Sequence, residues 1–252
     1  MSARLFEDAG FPAVATTSGG LSWALGYQDG EHAPWREVTG ALARITRLVG
    51  IPVSADIEKG YGNDPDAVGA SVADTISAGV VGVNIEDSLV QSDNGLRPMD
   101  DAAARIRAAR NAADKAGIPI VINARTDVYQ VKRGDAESMF AEVLRRAEAY
   151  CAAGADCIYV FGPLDMDTAA RLARAITAPI NIVGRPGMAK AEELERIGVA
   201  RVSTAAGPAT AAMEKIANIV QSLFATGDFN SYSSTLKRPD IQALFSKNTE
   251  ER

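Results

Sequence analysis

The chain alternates short apolar, β-branched runs with longer stretches whose apolar residues recur at helical spacing. The runs are Ala13–Ser18, Pro52–Ile57, Gly82–Glu86, Pro119–Val128, Cys157–Phe161, Pro179–Val183 and Arg201–Thr204. They are apolar along their length rather than at every second residue, as in strands covered on both faces. Between them, Asp64–Ala78, Pro98–Lys115, Ala136–Ala152 and Asp167–Ala175 read as amphipathic helices. Several helices run into a glycine hinge before the next strand, as in Ala116-Gly117-Ile118-Pro119. Glycine suits the left-handed position that closes a helix, and proline then fixes an extended entry. Strand and helix alternating at roughly 30 residues predict βαβ units and a parallel sheet.

Seven such units in 252 residues favour an α/β fold of the (β/α)8 TIM-type barrel over an open doubly wound sheet. The chain opens on a helix, Ser2–Ala9, where a barrel strand should come first, so the first strand reads as missing or atypical. Either the start lies too late or a non-standard element plugs the barrel. No linker or charge run divides residues 1–226, which read as one barrel domain. Residues 227–252 break the rhythm with a polar turn and a short helix, Pro239–Ser246, carrying Ile241, Leu244 and Phe245 on one face. So short a helix cannot bury its stripe alone and is expected to pack on the barrel or on a neighbouring subunit.

Composition narrows the class. At 47% hydrophobic and 23% charged the chain reads as globular, and a net charge of −6 argues against a nucleic-acid partner. Its two cysteines, Cys151 and Cys157, are too few for a disulfide framework and predict a reducing compartment. One falls on a helix and the other early in a strand, so neither reads as a nucleophile. The first residues lack the apolar core of a signal peptide, and no run approaches the ~20 residues of a membrane span. A cytoplasmic enzyme with no membrane partner is the expectation.

Barrel active sites lie at the C-terminal ends of the strands. Asp56 and Glu58 end the Pro52–Ile57 run, and strand alternation points both to one face. Glu86 and Asp87 end the next run and Arg125 and Asp127 the one after, while Ser18, Gly19 and Gly20 close the first run with Asp29 just beyond. Bare acids at adjacent strand ends repel one another, and a hard cation such as Mg2+ removes the conflict. Any one of them alone reads equally as a solvated loop residue or a helix cap. Arg125 lies within an apolar strand, where a guanidinium needs an anion: either a substrate carboxylate or a barrel acid. Ser18-Gly19-Gly20 offers a hydroxyl and closely approachable N–H groups, or is simply a turn. Gly184-Arg185-Pro186-Gly187 and Ala205-Ala206-Gly207-Pro208 follow the last two strands, where many barrels bind phosphate, so a phosphosugar-binding barrel watched at Arg185 is a second reading.

The segments SARLFEDAGFPAVATTSGGLSWALGYQD, PVSADIEKGYG, GVNIEDS and INARTDVY together resemble the isocitrate lyase/phosphoenolpyruvate mutase superfamily, with ADCIYVFGP, PINIVGRPG and GVARVST adding weaker support. The likeness spans residues 2 to 206, and members usually carry one more strand ahead of the SARL helix. It implies that Asp56 is the principal Mg2+ ligand (Mn2+ an alternative), while Glu58 and Glu86 hold the waters of the metal. Glu58 stands where many members have Asp. It implies further that Asp29 is an active-site aspartate, and that Ser18, Gly19, Gly20 and Arg125 cradle a substrate carboxylate. Members act on 2-oxo acids or their enolates, making or breaking an adjacent C–C or P–C bond.

The departure lies in Ser88–Met99, where lyases of the superfamily carry a Cys- and His-containing gating segment and mutases carry Lys with Asn or Thr. Here there is no Cys, Lys or His, and only Asn94 matches the mutase pattern. The expected function is therefore a Mg2+-dependent lyase or hydrolase acting on an oxaloacetate-like 2-oxo or 2-hydroxy dicarboxylate. A P–C bond enzyme or a non-catalytic oxo-acid-binding barrel are the alternatives. Tyr61 and the sole histidine, His32, are the candidate proton carriers, although a lone loop histidine is more often a surface residue. A homodimer or homotetramer is expected.

Overall fold

The computed structural model describes residues 1–89, 95–132 and 134–246. Seven strands fall inside the seven apolar runs: β1 (Val14–Ala15), β2 (Val53–Asp56), β3 (Gly82–Glu86), β4 (Val121–Thr126), β5 (Cys157–Val160), β6 (Ile180–Val183) and β7 (Arg201–Ser203). They pair in chain order, each parallel to the next, in one curled sheet of the barrel type. Among the described residues β1 and β7 share no backbone ladder, and helix α1 (Ser2–Asp8) precedes β1.

The register decides which side chains meet. Asp56 pairs with Asn84 and Asn84 with Asn123, while Glu86 pairs with Arg125, Arg125 with Tyr159 and Tyr159 with Asn181. In-register neighbours of a parallel sheet point the same way. The concave face therefore carries a polar belt, with Asn123 donating to Asn84 at 2.6 Å and Asn181 to Ser203 at 2.9 Å. On the other face Ala55, Val83, Ile122, Ala124, Ile158, Val160 and Ile182 are fully buried.

The remaining helices are α2 (Ser18–Leu25), α3 (Trp35–Leu48), α4 (Pro65–Ser77), α5 (Met99–Ala116), α6 (Val128–Val131), α7 (Ala136–Ala152), α8 (Met166–Ala175), α9 (Ala191–Arg196), α10 (Gly207–Thr226) and α11 (Arg238–Ser246). Local chemistry starts and stops them. Asp64, Asp135 and Asp165 each accept an N–H from the first turn of α4, α7 and α8, and Gly117 closes α5 at φ 67°.

Two features depart from the sequence pattern. The first run shortens to two residues because Ser18, Gly19 and Gly20 form the first turn of α2 rather than the end of a strand, with Thr17 as the cap. Helix α10 buries none of its residues, and Met213, Ile216, Val220 and Phe224 are exposed. Val202, on the outer face of β7, is exposed as well. In the tail, α11 lies against α1 and buries Leu244, while Phe245 stays exposed. No helix among the described residues is long and apolar enough to cross a membrane.

Candidate active site

The mouth of the curled sheet is built around Asp56, the last residue of β2. Its Oδ2 accepts the Ser18 N–H at 3.3 Å, so the N-terminus of α2 faces it, and its Oδ1 accepts the Glu58 N–H at 3.2 Å. Beyond Asp56 the chain coils through the left-handed region at Glu58 (φ 54°), Gly60 (φ 102°) and Tyr61 (φ 50°). For the two non-glycine residues that conformation costs about 1–3 kcal/mol each, the kind of strain held at functional sites. It carries Glu58 back into the mouth, where it is buried and accepts the Tyr61 hydroxyl at 3.1 Å. Tyr61 is fixed in turn: its N–H donates to Glu31 at 2.8 Å, and its ring packs on Trp35 at 4.7 Å. Arg105 ties down the rest of the turn, donating to the carbonyls of Gly62 and Asn63, both at 2.8 Å. On the α2 side, a Cβ on Gly19 would lie 3.3 Å from a carboxylate oxygen of Asp29 and 3.2 Å from the Trp23 ring.

The other wall is Arg125. Its Nη1 lies 2.8 Å from Glu86, its Nε and Nη2 donate to the two oxygens of Asp127 at 2.6 and 2.8 Å, and its face lies 3.7 Å from the centre of the Phe161 ring. Ser88 adds a short hydroxyl hydrogen bond to Glu86. Burial, with Asp29 and Asp56 nearby, pushes Glu58 up to about 7. Burial also pushes Glu86 up to about 8, outweighing Arg125, with Asp127 and Asp56 adding to the rise. Asp56 and Asp127 are raised too, again by burial first. Burial opposes the charge on Arg125, but Glu86 and Asp127 more than compensate and hold its pKa above the ordinary value.

These acids are short of positive charge. Asp56 takes part in no salt bridge among the described residues, and its two N–H contacts are long. No three acid, His or Cys side chains converge into a closed metal cage among those residues. A hard divalent cation takes one or two carboxylates and keeps its waters, and an all-oxygen donor set at Asp56 would suit an ion of that kind. Asp56, with no salt-bridge partner among the described residues, would be the acid open to such a cation. Asp29 is exposed at the rim beside Gly19, His32 is exposed in the loop ahead of α3, Gly20 packs on Thr17, and Asn94 lies outside the described residues.

Sequence reasoning missed Asn84, Asn123, Tyr159, Phe161 and Asn181. For all but Phe161, which lies just past β5, the signal was the one that flagged Arg125: polar groups within apolar strands, spaced two apart and so on one face. Arg185 is exposed after β6, and the cleft of about 360 Å3 beside it is lined largely by apolar groups, among them Met188, Leu194 and Val202.

Carboxylates around one guanidinium gather at the C-terminal ends of parallel strands, the place where α/β barrel enzymes carry their active sites. The model of the phosphoenolpyruvate phosphomutase family matches residues 1–224, and the chain belongs to that family. It is 30% identical over 208 residues to an oxaloacetate decarboxylase from Pseudomonas putida (strain GB-1), covering 79% of this chain and 68% of that one. A crystal structure from Burkholderia cenocepacia J2315, provisionally described as a phosphonomutase, is 41% identical at a TM-score of 0.83, covering 87% of this chain and 89% of that one. The crystal structure of 2,3-dimethylmalate lyase, a member of the PEP mutase/isocitrate lyase superfamily, is 25% identical at a TM-score of 0.81, covering 99% and 84%. The superfamily resemblance carried by the DIEKGYG, IED and AR motifs is correct.

Proposed function

We propose that this chain is a divalent-cation-dependent lyase or hydrolase, with Mg2+ or Mn2+ as the ion, that cleaves the C–C bond beside the carbonyl of an oxaloacetate-like dicarboxylate. The observation that carries the reading is the gathering of Arg125 with Asp56, Glu58 and Glu86 at adjacent strand ends, where the barrel acids Glu86 and Asp127 hold the guanidinium and Asp56 lies near enough to influence its charge. Arg125 and the α2 N-terminus, with Ser18, Gly19 and Gly20, would receive the substrate carboxylate. The cation, bound through Asp56 and flanked by Glu58 and Glu86, would offset the negative charge that develops on the oxo oxygen.

In decarboxylation the bond to the terminal carboxylate breaks, its electron pair stays on the adjacent carbon, CO2 leaves, and that carbon then takes a proton. Tyr61 is the donor in this reading. Burial first and then Glu58 keep the phenol protonated, and Glu58, at about 7, can return the proton near neutral pH. His32, exposed, is given no role in it, and Asp29 lines the rim.

Cleavage of a C–C bond is favoured over a P–C bond by charge. A phosphonate dianion beside a carboxylate calls for more than one clamp, and Ser88–Met99 brings Arg97 as its one cation, which is paired with Asp101. The test is a turnover panel of oxaloacetate, 2-methylisocitrate, 2,3-dimethylmalate and phosphonopyruvate, with and without EDTA. Oxaloacetate consumption abolished by EDTA is expected. Metal-independent turnover, binding without turnover, or turnover of phosphonopyruvate alone overturns the reading.

The same reading takes the protein as a cytoplasmic homo-oligomer. Both cysteines are unpaired, as in a reducing compartment. The exposed α10 face, with Met213, Ile216, Val220 and Phe224, supports a second copy as its cover.

A further inference from the structure

Asp127 holds Arg125 and is itself held. Its backbone N–H donates to Asp87 Oδ1 at 2.9 Å. Asp87 is 1% exposed, and its Oδ2 accepts the Tyr150 hydroxyl at 2.6 Å and Arg146 Nη1 at 2.9 Å. Arg146 and Tyr150 stand one turn apart on α7 and reach inward from the helical layer. Arg146 also donates from Nε to Glu142 at 2.7 Å and from Nη2 to the Arg97 carbonyl at 3.1 Å, while the Arg97 N–H donates to the Asp87 carbonyl at 2.7 Å. One buried ion pair therefore braces both the turn that carries Asp127 and the backbone at Arg97.

Such a pair is a costly way to stabilise a fold, since apolar side chains of like volume commonly do as well. What apolar residues cannot do is fix the direction of a peptide N–H. The carboxylate of Asp127 forks onto Arg125, so any rotation of the residue 127 backbone moves the guanidinium with it. A shift of about 1 Å at a clamp can cost about 10²-fold in rate.

We propose that Asp87, braced by Arg146 and Tyr150, is the positioning residue that aims the Arg125 guanidinium at the substrate carboxylate. The inference rests on the function proposed above. Oxalate, a dicarboxylate with no bond to cleave in this reaction, tests it by calorimetry at saturating Mg2+, and Mn2+ binding followed by electron paramagnetic resonance reports the acids separately. Asp87→Asn retains an oxygen for the Asp127 N–H but turns an amide toward Arg146. Tyr150→Phe removes one hydroxyl at nearly constant volume and stays informative if the first variant fails to fold. Oxalate affinity is expected to fall about tenfold in Tyr150→Phe and about 10²-fold in Asp87→Asn, with Mn2+ affinity unchanged. Arg145→Gln, which removes an exposed pair with Glu142, is expected to alter neither. Wild-type oxalate affinity in folded Tyr150→Phe overturns the inference alone, and so does an equal loss of Mn2+ affinity. A wild-type protein that binds Mn2+ but no oxalate overturns the functional reading and the inference with it.

Discussion

Arg125 lays Nε and Nη2 on the two oxygens of Asp127 at 2.6 and 2.8 Å, a fork that fixes the plane of the guanidinium before any ligand arrives. Lysine cannot reproduce that plane. Arg125→Lys is expected to lower stability by about 3 kcal/mol in urea unfolding, because Glu86 and fully buried Asp127 lose their bidentate partner. Oxalate binding should weaken by about 10²-fold in the same variant. Wild-type affinity in Arg125→Lys would show that the guanidinium serves the fold alone.

Asp56 is expected to dominate metal binding. Its native contacts are two long backbone N–H groups, which asparagine can still satisfy in part. Asp56→Asn should therefore keep its unfolding midpoint yet bind Mn2+ about 10²-fold more weakly and lose turnover. Unchanged Mn2+ affinity would move the metal elsewhere.

The two raised carboxyls give a pH signature. Glu58 and Glu86 ionise at about 7 and about 8 when folded, against an ordinary 4.5 when unfolded. Between these values the folded state holds more protons than the unfolded one, so their contribution to stability falls as pH rises through that window. A divalent cation prefers the ionised forms, so its affinity rises over the same range. The melting-temperature gain from Mg2+ should grow from about pH 5 to about pH 8. A gain that is flat with pH would separate these acids from the metal.

Two glycines should respond in opposite directions. A Cβ on Gly62 would fall 2.6 Å from the Val68 nitrogen, so Gly62→Ala is expected to cost about 1–3 kcal/mol and to disturb the Glu58–Tyr61 turn. Gly40, within α3, has nothing within 4 Å of such a Cβ, and Gly40→Ala should add about 0.5–1 kcal/mol. Denaturant midpoints measure both.

The α10 face predicts its own disruption. Ile216→Asp with Val220→Asp should shift the protein to a smaller species in sedimentation velocity, because both positions are exposed within one chain. An unchanged profile removes that face from any interface.

The seven strands were legible as short β-branched runs bounded by turns, but they are not continuously apolar: Ile122 and Ala124 are buried on the outer face, while Asn123 and Arg125 alternate with them on the inward one. The start of α2 was not. Ser18-Gly19-Gly20 has poor helix propensity, and it becomes helical only where Thr17 opens the turn and Asp56 accepts the Ser18 N–H. Strand alternation brought Asp56 and Glu58 to one side, but the strand ends at Asp56, and Glu58 arrives through a left-handed backbone that no periodicity encodes. The fork on Arg125 and its bracing by Asp87 depend on side chains from β3, β4 and α7 meeting in space, and sequence spacing is silent on that.

The polar belt is uneven in charge. Strands β2 to β4 and the turns that follow them carry the acids Asp56, Glu58, Glu86 and Asp127 around Arg125, whereas β5 to β7 and the residues just past them carry no acid at the corresponding positions, with Tyr159, Phe161, Asn181 and Ser203 beside the cation Arg201, the in-register partner of Asn181. The reactive head of a molecule and its variable tail would thus answer to different stretches of the gene. Substitutions in the later half can retune which tail is accepted while the bond-breaking apparatus of the earlier half stays intact, a division of labour through which one scaffold can come to serve many acids.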